Sequence, residues 1–257
     1  MQRASFPLLK GLVLLNCTGS PLPETARFSL DCPRLTGLAY LHAPVFFFPL
    51  AALEDLDLNR PSPELSLQTL CALAEAAPRL RTLKINWTKP APRSEGNAAH
   101  FPRLGTLAIK DCHYPETILD CIDAPALSTL SLDECLLSRP PASPSEQRTI
   151  RSFPAVHTLR LRQVCVQRLG PGYADPLPVF QYTPAIKVLE LGRWCQLHMT
   201  AVVTHFAWMK PIPFRSLHTL QVSGPANYVF VHLSKILTQR MQGELPLVEL
   251  SRAGRRL

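Results

Sequence analysis

One phrase recurs along this chain and fixes what it can become: a proline, any residue, an aliphatic, two variable residues, a leucine, one variable residue, then a second aliphatic or an aromatic. It stands as Pro7-Leu9-Leu12-Leu14, Pro33-Leu35-Leu38-Tyr40, Pro78-Leu80-Leu83-Ile85 and Pro102-Leu104-Leu107-Ile109. It continues as Pro125-Leu127-Leu130-Leu132, Pro154-Val156-Leu159-Leu161 and Pro184-Ile186-Leu189-Leu191, while Leu53-Leu56-Leu58 and Leu217-Leu220-Val222 lack a proline in register. That makes nine copies, with a worn tenth around Leu245 to Leu250. The first aliphatics are spaced by 18 to 31 residues and average 26, a period that belongs to stacked repeats rather than to a single folded core.

Period and pattern match the leucine-rich repeat, in which a short strand leaves through a turn carrying Cys or Asn. Cys17, Cys112 and Cys135 lie three residues after the last strand aliphatic, and Cys165 and Cys195 one residue later. Five of the eight cysteines are thus read as small buried side chains at strand exits, and no pair has C-x-x-C spacing. The expected fold is α/β: a leucine-rich-repeat solenoid of about nine irregular repeats over residues 1–257 as one domain, with a curved parallel sheet backed by helices and loops. No single repeat can bury its own leucines, so neighbours must stack. Proline ahead of each strand stops the preceding segment at no cost in sheet hydrogen bonds, which explains part of the unusual 26 prolines. Helices are expected at 64–77, 115–122, 197–209 and 227–241. Residues 90–100 and 138–151, rich in Pro and Ser, are expected to be mobile insertions, and 251–257 a basic tail.

The phrases Phe6-Pro7-Leu8-Leu9, Cys32-Pro33-Arg34-Leu35, Phe101-Pro102-Arg103-Leu104 and Phe153-Pro154-Ala155-Val156 resemble the F-P-x-L-x-x-L-x-L repeats of fungal-type F-box proteins with leucine-rich repeats. The turn Ala76-Ala77-Pro78-Arg79-Leu80-Arg81-Thr82-Leu83 adds to the likeness, which covers nearly the whole chain. The resemblance implies the substrate-recognition part of a cullin-RING (SCF) ubiquitin ligase receptor, whose F-box holds the adaptor. Here the first repeat opens at Phe6 with no F-box before it. No adaptor-binding residue is carried over, and the expectation is a partial gene product or a paralogue without that module. The alternative is a stand-alone repeat scaffold with no ubiquitin link.

In a strand, side chains alternate between faces, so the positions between the inward leucines form outward rows. One row reads Gly11, Gly37, Asp55, Thr82, Thr106, Thr129, Thr158, Val188, Thr219; the next Val13, Ala39, Asp57, Lys84, Ala108, Ser131, Arg160, Glu190, Gln221; the third Leu15, Leu41, Asn59, Asn86, Lys110, Asp133, Arg162, Gly192, Ser223. The candidate protein-binding face is therefore Asp55, Asp57, Lys84, Lys110, Asp133, Arg160, Arg162 and Glu190. Its four cations balance its four anions, which argues against a nucleic-acid groove although the chain carries a net charge of +8. An apolar end beside mixed charge suits a protein partner.

Enzyme signatures are missing: there is no G-x-S-x-G, H-E-x-x-H, G-x-x-x-x-G-K-[ST] or G-x-G-x-x-G. Asp55-Leu56-Asp57 offers two carboxylates without a third ligand, and the repeat register already accounts for the cysteines of Cys112-His113 and Trp194-Cys195. The expectation is no enzyme, no catalytic or metal residue and no cofactor. The longest apolar stretch, residues 43–53, holds Pro44 and Pro49 and is too short to span a bilayer. Lys10 and Gly11 break the apolar run at the start, and no signal cleavage pattern follows. Unpaired thiols then point to the cytoplasm or nucleus, with no membrane and no nucleic acid as partner.

Overall fold

The computed structural model describes residues 3–15, 29–41, 50–60, 65–86, 98–137, 152–166, 178–192, 216–223, 238 and 249–252. The helices expected at 197–209 and 227–241, the insertion at 138–151 and most of that at 90–100 lie outside the described residues. In chain order the elements are β1 (Arg3–Ser5), β2 (Gly11–Leu15), β3 (Ser29–Asp31), β4 (Gly37–Leu41), β5 (Asp55–Asn59), α1 (Leu67–Ala76), β6 (Thr82–Asn86), β7 (Ala99–His100) and β8 (Thr106–Lys110). There follow α2 (Glu116–Asp120), β9 (Ile122–Asp123), β10 (Thr129–Asp133), β11 (Leu136–Leu137), β12 (Thr158–Arg162), β13 (Cys165–Val166), α3 (Pro178–Tyr182), β14 (Val188–Gly192), β15 (Thr219–Ser223) and β16 (Glu249–Arg252).

The protein is a parallel-strand solenoid with few helices, and it divides into two compact units: residues 1–112 with 117–126, and 113–116 with 127–257. In the first, β2, β4, β5, β6 and β8 pair in that order, all parallel. In the second the order is β10, β12, β14, β15, β16, again all parallel. Register follows the repeat phrase residue for residue: Leu38↔Leu56↔Leu83↔Leu107 in one unit, Leu130↔Leu159↔Leu189↔Leu220 in the other. The worn tenth copy is real as a strand, with Leu250 beside Leu220. Strand β16 also takes the first two residues, 251 and 252, of the segment expected as a tail.

Inward leucines make each core. Leu53, Leu58, Leu83, Ile85, Leu104 and Leu107 are buried in the first unit and Leu127, Leu130, Leu132, Val156, Leu159 and Leu161 in the second, each with no exposed surface. Tyr40, where the phrase has an aromatic, is 1% exposed and fills the same layer. Among the described residues two strands depart: Leu12 and Leu14 of β2, which has a main-sheet neighbour on one side alone, and Val222 of β15 are half-buried.

The proline's role is specific. It occupies the second position of a β-turn just before the strand, closed by Leu9 N–H to Phe6 O (3.2 Å), Leu35 to Cys32 (3.0 Å), Leu80 to Ala77 (3.1 Å), Leu104 to Phe101 (3.4 Å) and Val156 to Phe153 (3.1 Å). Proline presets φ there and forfeits no needed donor. The copy lacking proline closes the same turn, Leu53 N–H to Leu50 O at 2.8 Å, and no backbone hydrogen bond among the described residues uses the Ala51 N–H. Ala51→Pro is therefore expected to stabilise the fold by about 0.5–1 kcal/mol, through lost freedom of the unfolded chain; a urea melt would show it.

Strand exits are built as regularly. Arg60, Asp111, Glu134 and Gln163, each directly after a main strand, take left-handed φ of 49–53°. Three of their N–H groups reach the end of the neighbouring strand: Arg60 to Asn86 O (2.8 Å), Glu134 to Arg162 O (2.8 Å) and Gln163 to Gly192 O (3.0 Å). After Asp111, Glu134 and Gln163 the next residue turns inward: Cys112, Cys135 and Val164 are each at most 1% exposed. In the β12 copy this inward position is thus filled by Val164, while Cys165 opens β13 opposite Leu136. Cys32, Cys71, Cys112, Cys121 and Cys135 are thiols outside any disulfide. Under native conditions Cys112 and Cys135 should react with a thiol reagent roughly tenfold or more slowly than the half-buried Cys71 and Cys121, since only opening exposes them; timed labelling with peptide mapping reads this directly.

Helix α1 starts where its cap stands: the Ser66 hydroxyl accepts from Thr69 N–H at 3.1 Å, satisfying one of the orphan donors of the first turn. It therefore covers less than the expected 64–77, burying Leu70 and Leu73 and ending at Ala77 ahead of Pro78. Helix α2 occupies the middle of the expected 115–122. Two-residue ladders add to the returns, β7 with β9 and β11 with β13; β7 takes up residues 99 and 100 at the end of the expected insertion 90–100. No helix among the described residues is long and apolar enough to cross a membrane.

Candidate protein-binding face

The outward rows leave the strands on the face opposite the leucine core. In the first unit Gly37↔Asp55↔Thr82 and Ala39↔Asp57↔Lys84 are neighbours across β4, β5 and β6. Asp55 and Lys84 are exposed and Asp57 half-buried. Lys110, exposed as well, stands beside Asn86 in the third row at the strand exit. Asp55, Asp57 and Lys84 are thus brought together, whereas Lys110 belongs to a different row on β8.

A hollow of about 260 Å³ lies over the first four strands of this unit's sheet. Its floor is Gly11, Gly37 and Ala39; Asp55 and Asp57 flank it, with Thr82 and Lys84 beyond. The hollow exists because the two glycines stand where later copies carry threonine. Neither is required by the backbone: a Cβ at Gly11 would meet nothing within 4 Å, and at Gly37 only Lys10 O at 4.0 Å. Val13 remains 61% exposed at the rim. Among the described residues no cation lies within ion-pair distance of Asp55 or Asp57.

The second unit's charges are organised differently. Glu190 on β14 faces Arg160 on β12, with Arg160 Nε 3.0 Å from Glu190 Oε1 and Arg162 Nη2 3.8 Å from Oε2. The Arg160 contact is an attraction of opposite charges rather than an aligned hydrogen bond, since its Nε has no hydrogen-bond partner. Asp133 sits beside Arg162 in register, and its Oδ1 is buried without a hydrogen-bond partner. Both arginines are nearly half exposed, so these pairs are worth roughly 1 kcal/mol or less each. Their effect is to hold two guanidinium groups against the Glu190 carboxylate, and with Asp133 beside Arg162 the four charges balance.

No group of three or more His, Cys, Asp or Glu suited to a metal occurs among the described residues. Cys112 has no exposed surface, while His113 is exposed and packs edge-on to Tyr114 at 6.3 Å. Trp194, Cys195, His198 and His205 lie outside the described residues. His100 Nδ1 and Asp123 Oδ2, 2.7 Å apart, join the exposed ends of β7 and β9; the sequence offered no sign of this pair because β7 was expected to be part of a loop.

Comparison with protein-family models, with curated proteins and with solved structures finds no match to this chain.

Proposed function

We propose that this chain is a non-enzymatic leucine-rich-repeat module that binds another protein through the outward face of its parallel sheet. The observation that carries this reading is that face itself. Its charged side chains project in register from strands whose opposite faces make the core. A rigid sheet with charge of both signs and an apolar hollow fits protein recognition, where specificity comes from complementary polar groups around an apolar centre. The repeat phrases further support a role as the substrate-recognition part of an F-box-type ubiquitin ligase receptor in the cytoplasm or nucleus. In that role the chain only binds, and ubiquitin transfer belongs to other subunits.

Affinity capture of the full chain from cells, followed by mass spectrometry, tests both levels. Co-purification of cullin-RING adaptor subunits is the result expected of a ligase receptor. A reproducible partner without ligase subunits overturns the ubiquitin role and leaves a scaffold. Failure to hold any protein, or binding of nucleic acid that weakens steeply with salt, overturns the protein-binding reading.

A further inference from the structure

We infer that the hollow over β2, β4, β5 and β6 docks one arginine side chain from an extended segment of the partner protein, with an aliphatic neighbour of that arginine seated on Val13. This rests on the protein-binding reading and names the chemistry of its occupant.

Size comes first. At about 260 Å³ the hollow falls below the roughly 300–1,000 Å³ of sites that enclose a whole small molecule. It is open on the sheet face and suits one long side chain delivered by a larger partner. Shape comes next: Gly37 and Ala39 lie beside Asp55 and Asp57 in register, so a methylene stem crossing the small residues ends at the two carboxylates. Arginine and lysine are the side chains with an apolar stem and a charged head.

Charge then selects the head group. Asp55 and Asp57 are two residues apart on one strand face, about 6.6 Å at the usual strand rise. A planar guanidinium with donors on several edges can address both carboxylates, which an ammonium does less well. The contrast with the second unit is informative, because there Glu190 already holds Arg160 and Arg162. The Asp55 and Asp57 carboxylates have no such internal cation among the described residues. Lys84, beside Asp57 in register, repels an incoming cation from the β6 side, which directs the approach over Gly37 and Ala39.

The test is peptide display: a random library of extended peptides on phage is selected against the full chain, and the enriched peptide is titrated by fluorescence anisotropy. The expected consensus is an arginine next to an aliphatic residue. Its affinity should fall about tenfold or more in Asp55→Asn/Asp57→Asn and in Gly37→Thr, which removes the space but no charge. Lys84→Gln should instead tighten binding severalfold, an effect opposite in sign to any loss of folding. Circular dichroism and melting confirm that each variant is folded. A consensus without a cation, arginine peptides indifferent to the variants, or no enrichment overturns the inference. Cellular partners captured equally by wild type and Asp55→Asn/Asp57→Asn would overturn it while leaving the protein-binding reading intact; a wild-type chain that captures nothing overturns that reading instead.

Discussion

Leu83→Ala is expected to lower the unfolding free energy by about 3 kcal/mol, within the 2–5 kcal/mol that a leucine truncated in a packed core costs. Leu83 has no exposed surface and lies between Leu56 of β5 and Leu107 of β8 in the sheet register. The cavity would therefore open in the middle of a stack and be felt by the turns on either side. Lys84→Ala, one residue along but on the outward face, should change stability by no more than about 0.5 kcal/mol. Urea unfolding of the two variants makes the comparison. Because a solenoid is stabilised by nearest-neighbour interfaces, amide exchange in Leu83→Ala should accelerate most in β5, β6 and β8. A larger loss from Lys84→Ala than from Leu83→Ala would mean that the faces had been assigned the wrong way round.

That assignment was legible in the sequence because a period of two inside each strand and a longer period between strands both leave marks in residue type. The phrase placed Leu56, Leu83 and Leu107 inward and predicted a register that the sheet follows. Its proline marked a turn whose hydrogen bond is retained at Leu50 to Leu53 without it, so proline signals the turn but is not its cause. The exits were less legible: Val164 takes the inward position in the β12 copy, and a search for cysteine passes over it to Cys165. Ladders of two residues such as β7 with β9 leave too few alternations to read. In the face itself, the rows were legible but their pairing was not. Whether Glu190 gathers both arginines, and whether Asp57 gathers Lys84, depends on rotamers and not on register; the first occurs and the second does not. The hollow had one faint signal, Gly11 and Gly37 heading a row that later copies fill with threonine.

The same substitution should have opposite effects at two outward-row glycines, one in each unit. Gly192→Thr is expected to destabilise by about 1–3 kcal/mol, the cost of forcing atoms into a filled site. Gly192 is buried at the end of β14, where a Cβ would stand 2.8 Å from Ser223 Oγ and 3.2 Å from Arg162 Cγ. Moving Ser223 loosens its hydroxyl contact with Leu191 O, and moving the Arg162 stem draws its guanidinium from Glu190. Glycine at 192 is thus the residue over which the arginine stem lies. Gly37→Thr meets only a carbonyl oxygen at 4.0 Å and should gain up to about 1 kcal/mol, from a stiffer unfolded chain and a better strand former. Paired melting curves decide the matter, and Ser223→Ala combined with Gly192→Thr should restore part of the loss by removing the nearest atom. A stabilising glycine at 37 would show that the hollow is set by folding. A destabilising one, kept where threonine would hold the sheet better, has to be explained by what the open space receives.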